Sequence, residues 1–500
     1  MRERYGHVWL SGRYRLGCGG RMTAPVAVGF RSERGPVLIS LMLTTGLVAI
    51  DSTVIATAVP SIVRDLGGFA QFPWLFSVYL LAQAVSVPIY GKLADLFGRR
   101  PIMLFGIGLF FLGSVLCGFA WSMPALIAFR ALQGLGAGAV QPMSLTIAGD
   151  LYSTAERGKV QGYLASVWAL SAVVGPTLGG VFSEYVSWRW IFFVNVPLCV
   201  VAVVMLTRHF HENVVRRRHT LDYAGSALLG VGCSLVILGL LEGGEAWAWS
   251  SAPSICALVV GVAMIIAFVL VERRADEPVF PLWVLRHRLL ATSSLTALAV
   301  GAVVIGLTSY VPTFVQGVVG GGPLVAGFAV AALSVGWPIT SSQSSKLYMR
   351  AGFRFTALIG STVTIVGAAL TALLTADASV AEVAGACLVV GAGLGLVAAP
   401  TLIAAQSTVG WSERGVVTGT NMFSRSIGSA LGVALFGAIA NATLGYGKQA
   451  HSAAEFARAS HHVFVGVAAV AVLMGVAVAS MPAGQGAAAA EALAVDADDV

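Results

Sequence analysis

Charged residues are scarce in this chain. Of its 500 residues, 11% are charged and 57% are hydrophobic, and the mean hydropathy is +0.84. A soluble domain carries about 25% charged residues, so a chain of this composition cannot keep its surface in water. The basic residues behind the net charge of +7 are scattered between apolar stretches, which argues against nucleic-acid binding. The composition predicts an integral protein of a lipid bilayer.

The sequence also lacks the usual signatures of catalysis, metal binding and disulfide bonding. Its six cysteines show no metal-ligand spacing, and most lie in apolar stretches, where cysteine acts as a small hydrophobic residue. No phosphate-binding loop, ATPase signature or nucleophile elbow occurs, and the glycine-rich run 134–138 has no strand before it. We therefore expect a protein that is not an enzyme and that uses neither a metal nor a cofactor.

Long apolar stretches are what the sequence has in abundance. Segments of about 17–25 residues, the length that crosses a bilayer core of about 30 Å, recur fourteen times. They are centred near Ile50, Leu81, Phe110, Gly136, Val173 and Val200, then Leu229 and Gly261, then Val303, Leu333, Val363, Val390, Ser429 and Ala469. The fold class predicted is an all-α polytopic membrane protein.

The basic residues fix the orientation of these spans, because lysine and arginine accumulate on the cytoplasmic side of membrane proteins. With the N-terminus inside, the inner segments hold most of the 30 lysines and arginines. The outer loops hold four: Arg64, Arg189, Lys448 and Arg458. We expect a multi-pass protein of the cytoplasmic membrane with both termini in the cytoplasm.

Two loops at matching places in the chain resemble each other. Gly91-Lys-Leu-Ala-Asp-Leu-Phe-Gly-Arg-Arg100 and Ser345-Lys-Leu-Tyr-Met-Arg-Ala-Gly-Phe-Arg354 share Lys-Leu, Gly and Arg at the same spacing. Duplicated bundles place their substrate site near mid-membrane, between the two halves. We predict a cytoplasmic arm (1–35), a six-span bundle (36–207), a two-span central insert (208–288), a second six-span bundle (289–482) and a disordered cytoplasmic tail (483–500). Met1 and Met22 are both candidate start residues within the arm.

Asp51 is the only carboxylate inside a long apolar span, where Arg130 and Arg425 are the only other charges. A charge at the bilayer centre costs at least ~2.5–3.5 kcal/mol, so such residues usually mark a pathway or a proton relay. Counted along the helices, Asp51 lies roughly 13 Å and Arg130 roughly 9 Å below the outer surface. We expect the two to pair and to carry proton coupling; a static buried ion pair is the alternative.

The first of the two repeated loops resembles the cytoplasmic loop signature of the major facilitator superfamily, Gly-x-Leu-Ala-Asp-x-x-Gly-Arg-Arg/Lys. Gly91 and Gly98 permit a tight turn, and Asp95 can cap a neighbouring helix N-terminus. Arg99 and Arg100 are expected to hold the loop in the membrane interface. The resemblance implies the major facilitator fold, here two six-helix bundles plus two central helices, with these residues as a cytoplasmic latch. The alternative is that the arginines only orient the spans.

Spans 4 and 5 extend the resemblance. Residues 126–136, with Arg130 and Gln133, resemble the span 4 signature of the superfamily. In span 5, Ser171 replaces the first glycine of the antiporter signature Gly-x-x-x-Gly-Pro-x-x-Gly-Gly, which otherwise matches at Gly175, Pro176, Gly179 and Gly180. Proline bends a helix and glycines allow close helix contact. The family associates this element with export, which argues against an importer.

Residues 51–60 and 188–197 are similar to the span 1 signature and the turn into span 6 of the fourteen-span drug:proton antiporters. Ala56 stands where that family has Asn, so we expect a polar neighbour of Asp51 to be missing. The resemblance covers residues 36–482. It implies an exporter of lipophilic small molecules that exchanges them for protons and is driven by the proton-motive force. We expect the protein to be a monomer.

The second half of the chain offers candidates for the substrate pathway. Arg425 and Asn421 lie in span 11 of the duplicated set, and Gln133 and Trp168 lie in the first half. Arg425 has no acidic residue in the spans of its half, so we expect neutral, monocationic or anionic amphiphiles rather than dications. A structural arginine is the alternative for this residue. For the whole protein, two alternatives stay open: a dedicated exporter of one metabolite, antibiotic or lipid, and a membrane sensor without transport.

Overall fold

The computed structural model describes residues 29–67, 74–212, 223–243, 247–274, 283–444 and 453–483, and its regular elements are helices. The first bundle comprises α1 (Gly35–Leu66), α2 (Trp74–Phe97), α3 (Arg99–Gly118), α4 (Met123–Leu151), α5 (Thr154–Tyr185) and α6 (Asn195–His209). The central pair is α7 (Tyr223–Glu242) and α8 (Ala252–Glu272). The second bundle comprises α9 (Arg288–Phe314), α10 (Pro323–Ala351), α11 (Phe353–Ala372), α12 (Val380–Ser407), α13 (Arg414–Leu444) and α14 (Ala453–Ala479).

These fourteen helices confirm the predicted all-α membrane architecture. Within the described residues, thirteen helices are long and apolar enough to cross a bilayer, with the one-turn helix Trp190–Phe193 and α6 counted together as one span. The remaining helix, α7, contains the shorter apolar stretch Ala227–Leu240 and packs along α8. The chain is therefore a multi-pass membrane protein.

The helices form two bundles that meet along two seams. In one seam α2 packs against α13, and in the other α5 packs against α10. Each bundle has its own apolar core, the first around residues such as Phe110 and Met143 and the second around Phe314, Phe436 and Phe464. The central helix α7 lies over the first seam, where it contacts both α2 and α13. The residues at which the two bundles meet thus lie on α2, α5, α10 and α13.

Small residues allow the helices to approach closely. A Cβ on Gly136 of α4 would lie 2.7 Å from the carbonyl oxygen of Gly106 in α3, and one on Gly91 of α2 would lie 2.7 Å from that of Gly415 in α13. Because lipid tails are as apolar as leucine, helices in a membrane associate through such packing and through hydrogen bonds. The 59 glycines of the chain are therefore compatible with long helices here.

The five predicted regions stay predictions, although helix ends fall near several of their boundaries. α1 begins at Gly35, α6 ends at His209 and α9 begins at Arg288. Residues 1–28, with both candidate start residues, lie outside the described part of the chain, and so do residues 484–500 of the predicted tail.

Candidate functional site

The side chain of Asp51 lies at the centre of a buried polar cluster. Its Oδ2 atom accepts a hydrogen bond of 2.6 Å from Nη1 of Arg130, and both side chains are 1% exposed. Its Oδ1 atom accepts bonds from Gln133 Nε2 at 2.8 Å and Asn195 Nδ2 at 3.1 Å. The carboxylate of α1 is thus held by donors from α4 and α6. The expected pairing of Asp51 with Arg130 is present, while their role in proton coupling stays a prediction.

Further contacts fix the orientation of these donors. Arg130 donates from Nη1 to Gln133 Oε1 at 2.8 Å and from Nε to the Leu75 carbonyl at 3.2 Å, and its guanidinium lies 4.0 Å from the centre of the Tyr79 ring. The Ser114 hydroxyl accepts from Gln133 at 2.8 Å and from Asn195 at 3.4 Å. Buried charges are tolerated when they are paired and hydrogen-bonded in this way. The carboxylate of Asp51 and the guanidinium of Arg130 are therefore paired and hydrogen-bonded, whereas the Oδ1 atom of Asn195 has no partner among the described residues.

Sequence reasoning missed three members of this cluster: Asn195, Ser114 and Tyr79. It also led us to expect that a polar neighbour of Asp51 is missing, because Ala56 stands where the family has Asn. Gln133 and Asn195 supply the polar contacts from other helices. The signal that could have found Asn195 is an amide directly before the apolar run of span 6, within the stretch 188–197 that carried the family resemblance.

Hydrogen bonds to Asp65, in the last turn of α1, hold the segment before α6 in place. Asp65 Oδ2 accepts hydrogen bonds from Arg189 Nη1 at 2.6 Å and from Trp188 Nε1 at 3.0 Å. These bonds, Arg189 first and Trp188 second, hold the pKa of the Asp65 carboxyl below its usual value. The contact ties the turn Trp188–Pro197, and hence Asn195, to the helix that carries Asp51.

A second polar network closes the seam between α2 and α13. Asp95 accepts from the backbone N–H groups of Gly415 at 2.9 Å and Val416 at 2.7 Å, so it caps the N-terminus of α13 as predicted. Arg99 pairs with Asp95 at 2.9 Å and with Asp150 at 2.9 Å. Asp150 in turn pairs with Arg414 of α13 at 3.1 Å. These charges link the two bundles.

One expectation for this loop is corrected, and another stays a prediction. That Arg99 holds the loop in the membrane interface stays a prediction: its side chain is fully buried, lies 3.7 Å from the centre of the Trp411 ring and donates to the Trp411 carbonyl. Gly91 is not in a turn but inside α2, where it permits contact with Gly415. Gly98 does make the turn into α3, with a φ of 97°. Arg100 donates to the Thr207 carbonyl of α6 at 2.8 Å.

The other seam, between α5 and α10, has its own contact, which sequence reasoning missed. The Tyr348 hydroxyl of α10 accepts from the Gly158 N–H at 3.1 Å and donates to the Thr154 carbonyl, both in the first turns of α5. Tyr348 is fully buried and stacks on Phe353, with ring centres 4.8 Å apart. It lies in the second copy of the repeated loop. Each copy of the loop thus contacts the beginning of a helix in the opposite bundle.

The antiporter signature lies on α5, which continues as a helix through Pro176. A Cβ on Gly175 would overlap the Thr53 hydroxyl of α1, and Thr53 donates to the carbonyl of Ser171 at 3.0 Å. Gly179 is buried, whereas a Cβ on Gly180 would meet nothing within 4 Å. The first half of the signature therefore seats α5 against the helix that carries Asp51.

The four predicted pathway residues do not form one site. Gln133 belongs to the Asp51 cluster, and Asn421 donates to the Ser293 hydroxyl at 3.1 Å, which ties α13 to α9. Trp168 is half-buried against the core of the first bundle. Arg425 lies over the Trp337 ring, 5.1 Å from its centre. Among the described residues, no group of three His, Cys, Asp or Glu side chains could hold a metal ion.

Comparisons with known proteins agree with this arrangement. The family model described as Major Facilitator Superfamily matches residues 41–433. Multidrug resistance protein 3 of Bacillus subtilis (strain 168) is 36% identical over 81% of this chain and 79% of its own length, and multidrug transporter protein MdtP of the same organism is 33% identical over 83% and 77%.

A solved structure shows the same fold. The human organic anion transporter MFSD10 (TETRAN) covers 89% of this chain and 99% of its own, with a TM-score of 0.64 and 14% sequence identity. The family match and the sequence identity with the Bacillus relatives indicate a membrane transporter for small molecules rather than an enzyme. The chain therefore belongs to the major facilitator superfamily.

Proposed function

We propose that this protein is a proton-coupled exporter of lipophilic small molecules. The observation that supports the proposal most is the buried cluster in which Asp51 receives three hydrogen bonds from two neighbouring helices. A lone acid in this setting is the kind of group that marks a proton relay in a transporter. Its membrane would be the cytoplasmic membrane, with both termini inside, as the distribution of basic residues favours.

The contacts of Asp51 support proton exchange at this residue. A neighbouring guanidinium and amide donors favour an ionised carboxylate, whereas loss of water favours a protonated one. Movement of α1 relative to α4 and α6 changes both effects at once. The buried Oδ1 atom of Asn195 has no hydrogen-bond partner among the described residues, so rotation of this amide would offer an acceptor to a protonated Asp51.

The conformation supports alternating access as the mechanism. Asp95 and Tyr348 close both seams at the beginnings of α13 and α5, which is the cytoplasmic end in the proposed orientation. Export requires that these contacts break when substrate is loaded from inside. The rocking of two repeats about a midplane site is the motion known for duplicated transporters.

The substrate class follows from the relatives. Two Bacillus proteins with 36% and 33% identity are named multidrug resistance protein 3 and multidrug transporter protein MdtP. Their names, together with the antiporter signature of α5, favour export of lipophilic drugs from the cell. The proton-motive force would drive this export, and no cofactor would be needed. We expect the protein to act as a monomer.

Purified protein in liposomes tests this proposal. Addition of ethidium, a lipophilic monocation, should dissipate a preformed pH gradient with the wild type and not with Asp51→Asn at equal protein content. Asp377→Asn, which removes an exposed acid between α11 and α12, is the matched control and should behave like the wild type. Ethidium movement that persists without proton movement in Asp51→Asn would make Asp51 a coupling residue only, and equal proton movement in both proteins would exclude it from coupling.

A dedicated exporter of one metabolite is the second candidate. A transporter described as belonging to the acurin A biosynthesis cluster of Aspergillus aculeatus is 30% identical over 81% of this chain and 74% of its own length. If no drug in a broad panel moves protons with the wild type, this candidate and a membrane sensor without transport replace drug export.

A further inference from the structure

Arg425 is a cation in the middle of α13 that no described residue neutralises. The described residues contain no ion pair or side-chain hydrogen bond of its guanidinium, whose one described contact is the Trp337 ring at 5.1 Å. It lies about 16 Å along the helix from Arg414 and about 28 Å from Leu444 at 1.5 Å per residue. A side chain cannot reach either membrane surface over such distances, so snorkelling does not account for it.

The two arginines at membrane depth differ in this respect. Arg130 in the first bundle is 1% exposed and paired with Asp51. Arg425 in the second bundle is only partly buried, and the helix carries no acid between Arg414 and Leu444. A charge held away from bulk water without a counter-charge is unfavourable. An anion that arrives from outside the chain would relieve that cost.

The position of the pair fits a ligand site. α13 packs against α2 of the other bundle, and α10, which carries Trp337, packs against α5. The contact between Arg425 and Trp337 therefore joins the two helices of the second bundle that face the first. One turn along α10 on the same face, the buried Ser341 hydroxyl has no hydrogen-bond partner among the described residues.

We infer that Arg425 and Trp337 form a subsite for an aromatic carboxylate. The guanidinium presents parallel N–H donors that match the two oxygens of a carboxylate, and the indole face accepts a flat aromatic ring. The inference deepens the proposed export function, because it assigns a chemical class to part of the substrate range. It applies to binding and does not depend on proton coupling at Asp51.

Calorimetric titration of the protein in nanodiscs of phosphatidylcholine tests the subsite. The probes are 1-naphthaleneacetate and its uncharged amide, with empty nanodiscs as the blank for partitioning into lipid. We expect saturable binding of the acid to the wild type, and binding at least about tenfold weaker for the amide or for Arg425→Gln, the loss expected when a charge-assisted hydrogen bond is removed. Arg458→Gln, which removes an exposed arginine of α14, should bind the acid like the wild type.

Two further variants guard against misfolding of Arg425→Gln. Arg425→Lys keeps the charge and should recover part of the affinity for the acid, and Trp337→Leu should weaken acid and amide alike. Equal binding of acid and amide to the wild type, an unchanged affinity in Arg425→Gln, or no saturable binding of the acid would each overturn the subsite. The ethidium assay tests the proposed antiport separately. If the protein binds the acid through Arg425 but shows no ethidium-driven proton movement, the subsite is supported and antiport is excluded.

Discussion

At the scale of single residues, the Asp51 carboxylate is defined by where its hydrogen bonds come from. Arg130 and Gln133 reach it from α4, and Asn195 reaches it from the beginning of α6. Three helices therefore meet at one acid, and a small shift of any of them changes the hydrogen bonds that the acid accepts. Asn195 carries no charge and lies on a different helix from Arg130. Substitution of Asn195 therefore leaves the ion pair between Asp51 and Arg130 in place.

Asn195→Leu should slow ethidium-driven proton movement by about tenfold or more. A hydrogen bond to a charged group contributes about 1.5–3 kcal/mol, and about 1.4 kcal/mol corresponds to a factor of ten. The variant removes one of the three donors to the carboxylate and leaves its pair with Arg130 in place. The measurement is the initial rate of proton movement in liposomes at equal protein content.

Asn421→Leu is the matched control for that variant. It removes another buried amide, which binds Ser293 rather than the acid cluster. We expect it to lower thermal stability and to leave the rate of proton movement unchanged. A loss of rate of the same size in both variants would mean that loss of packing, and not the bond to Asp51, slows proton movement.

At the scale of elements, α5 uses its glycines for different contacts along its length. Near its beginning, a Cβ on Gly158 would lie 2.8 Å from the backbone nitrogen of Ser345 in α10. Further along, Gly175 lies against Thr53 of α1, and Gly180 lies in open space. The glycines of the antiporter signature are therefore not equivalent, although the sequence pattern treats them alike.

Gly175→Ala should destabilise the protein by about 1–3 kcal/mol, the usual cost of overpacking, while Gly180→Ala should be tolerated. The added methyl group at residue 175 overlaps the Thr53 hydroxyl and pushes α5 away from the helix of Asp51. Thermal unfolding in detergent and proton movement in liposomes measure the two consequences. If Gly180→Ala proved as damaging as Gly175→Ala, contact with α1 would not explain the signature.

At the scale of the whole molecule, the two seams are closed by different chemistry. The seam of α2 and α13 is closed by Asp95, Arg99, Asp150 and Arg414, whereas that of α5 and α10 is closed by the neutral hydroxyl of Tyr348. The two loops are copies of one pattern, with Tyr348 at the place that matches Ala94. Both loops contact the beginning of a helix in the opposite bundle, but they do so through different residues.

Tyr348→Phe should loosen the seam of α5 and α10. Without the hydroxyl, the N–H of Gly158 and the carbonyl of Thr154 lose their hydrogen bonds to α10, and hydrogen exchange at the beginning of α5 should rise. Asp95→Asn should raise exchange at Gly415 and Val416 instead. Exchange mass spectrometry measures both, with the exposed Tyr185→Phe as the control. Unchanged exchange at the beginning of α5 in Tyr348→Phe would remove this residue from the closure.

The sequence by itself determined the membrane class, the fourteen helices, the common depth of Asp51 and Arg130, and the cap by Asp95. These features depend on the length and hydropathy of local segments and on positions counted along one helix, which a linear pattern contains. Only the tertiary structure decided that Asn195 reaches Asp51, that Arg99 is buried, that Tyr348 closes the second seam and that Arg425 lies beside Trp337. Each of these depends on how a helix is rotated about its axis. Lipid and protein interior are equally apolar, so hydropathy does not fix that rotation, and packing between helices does.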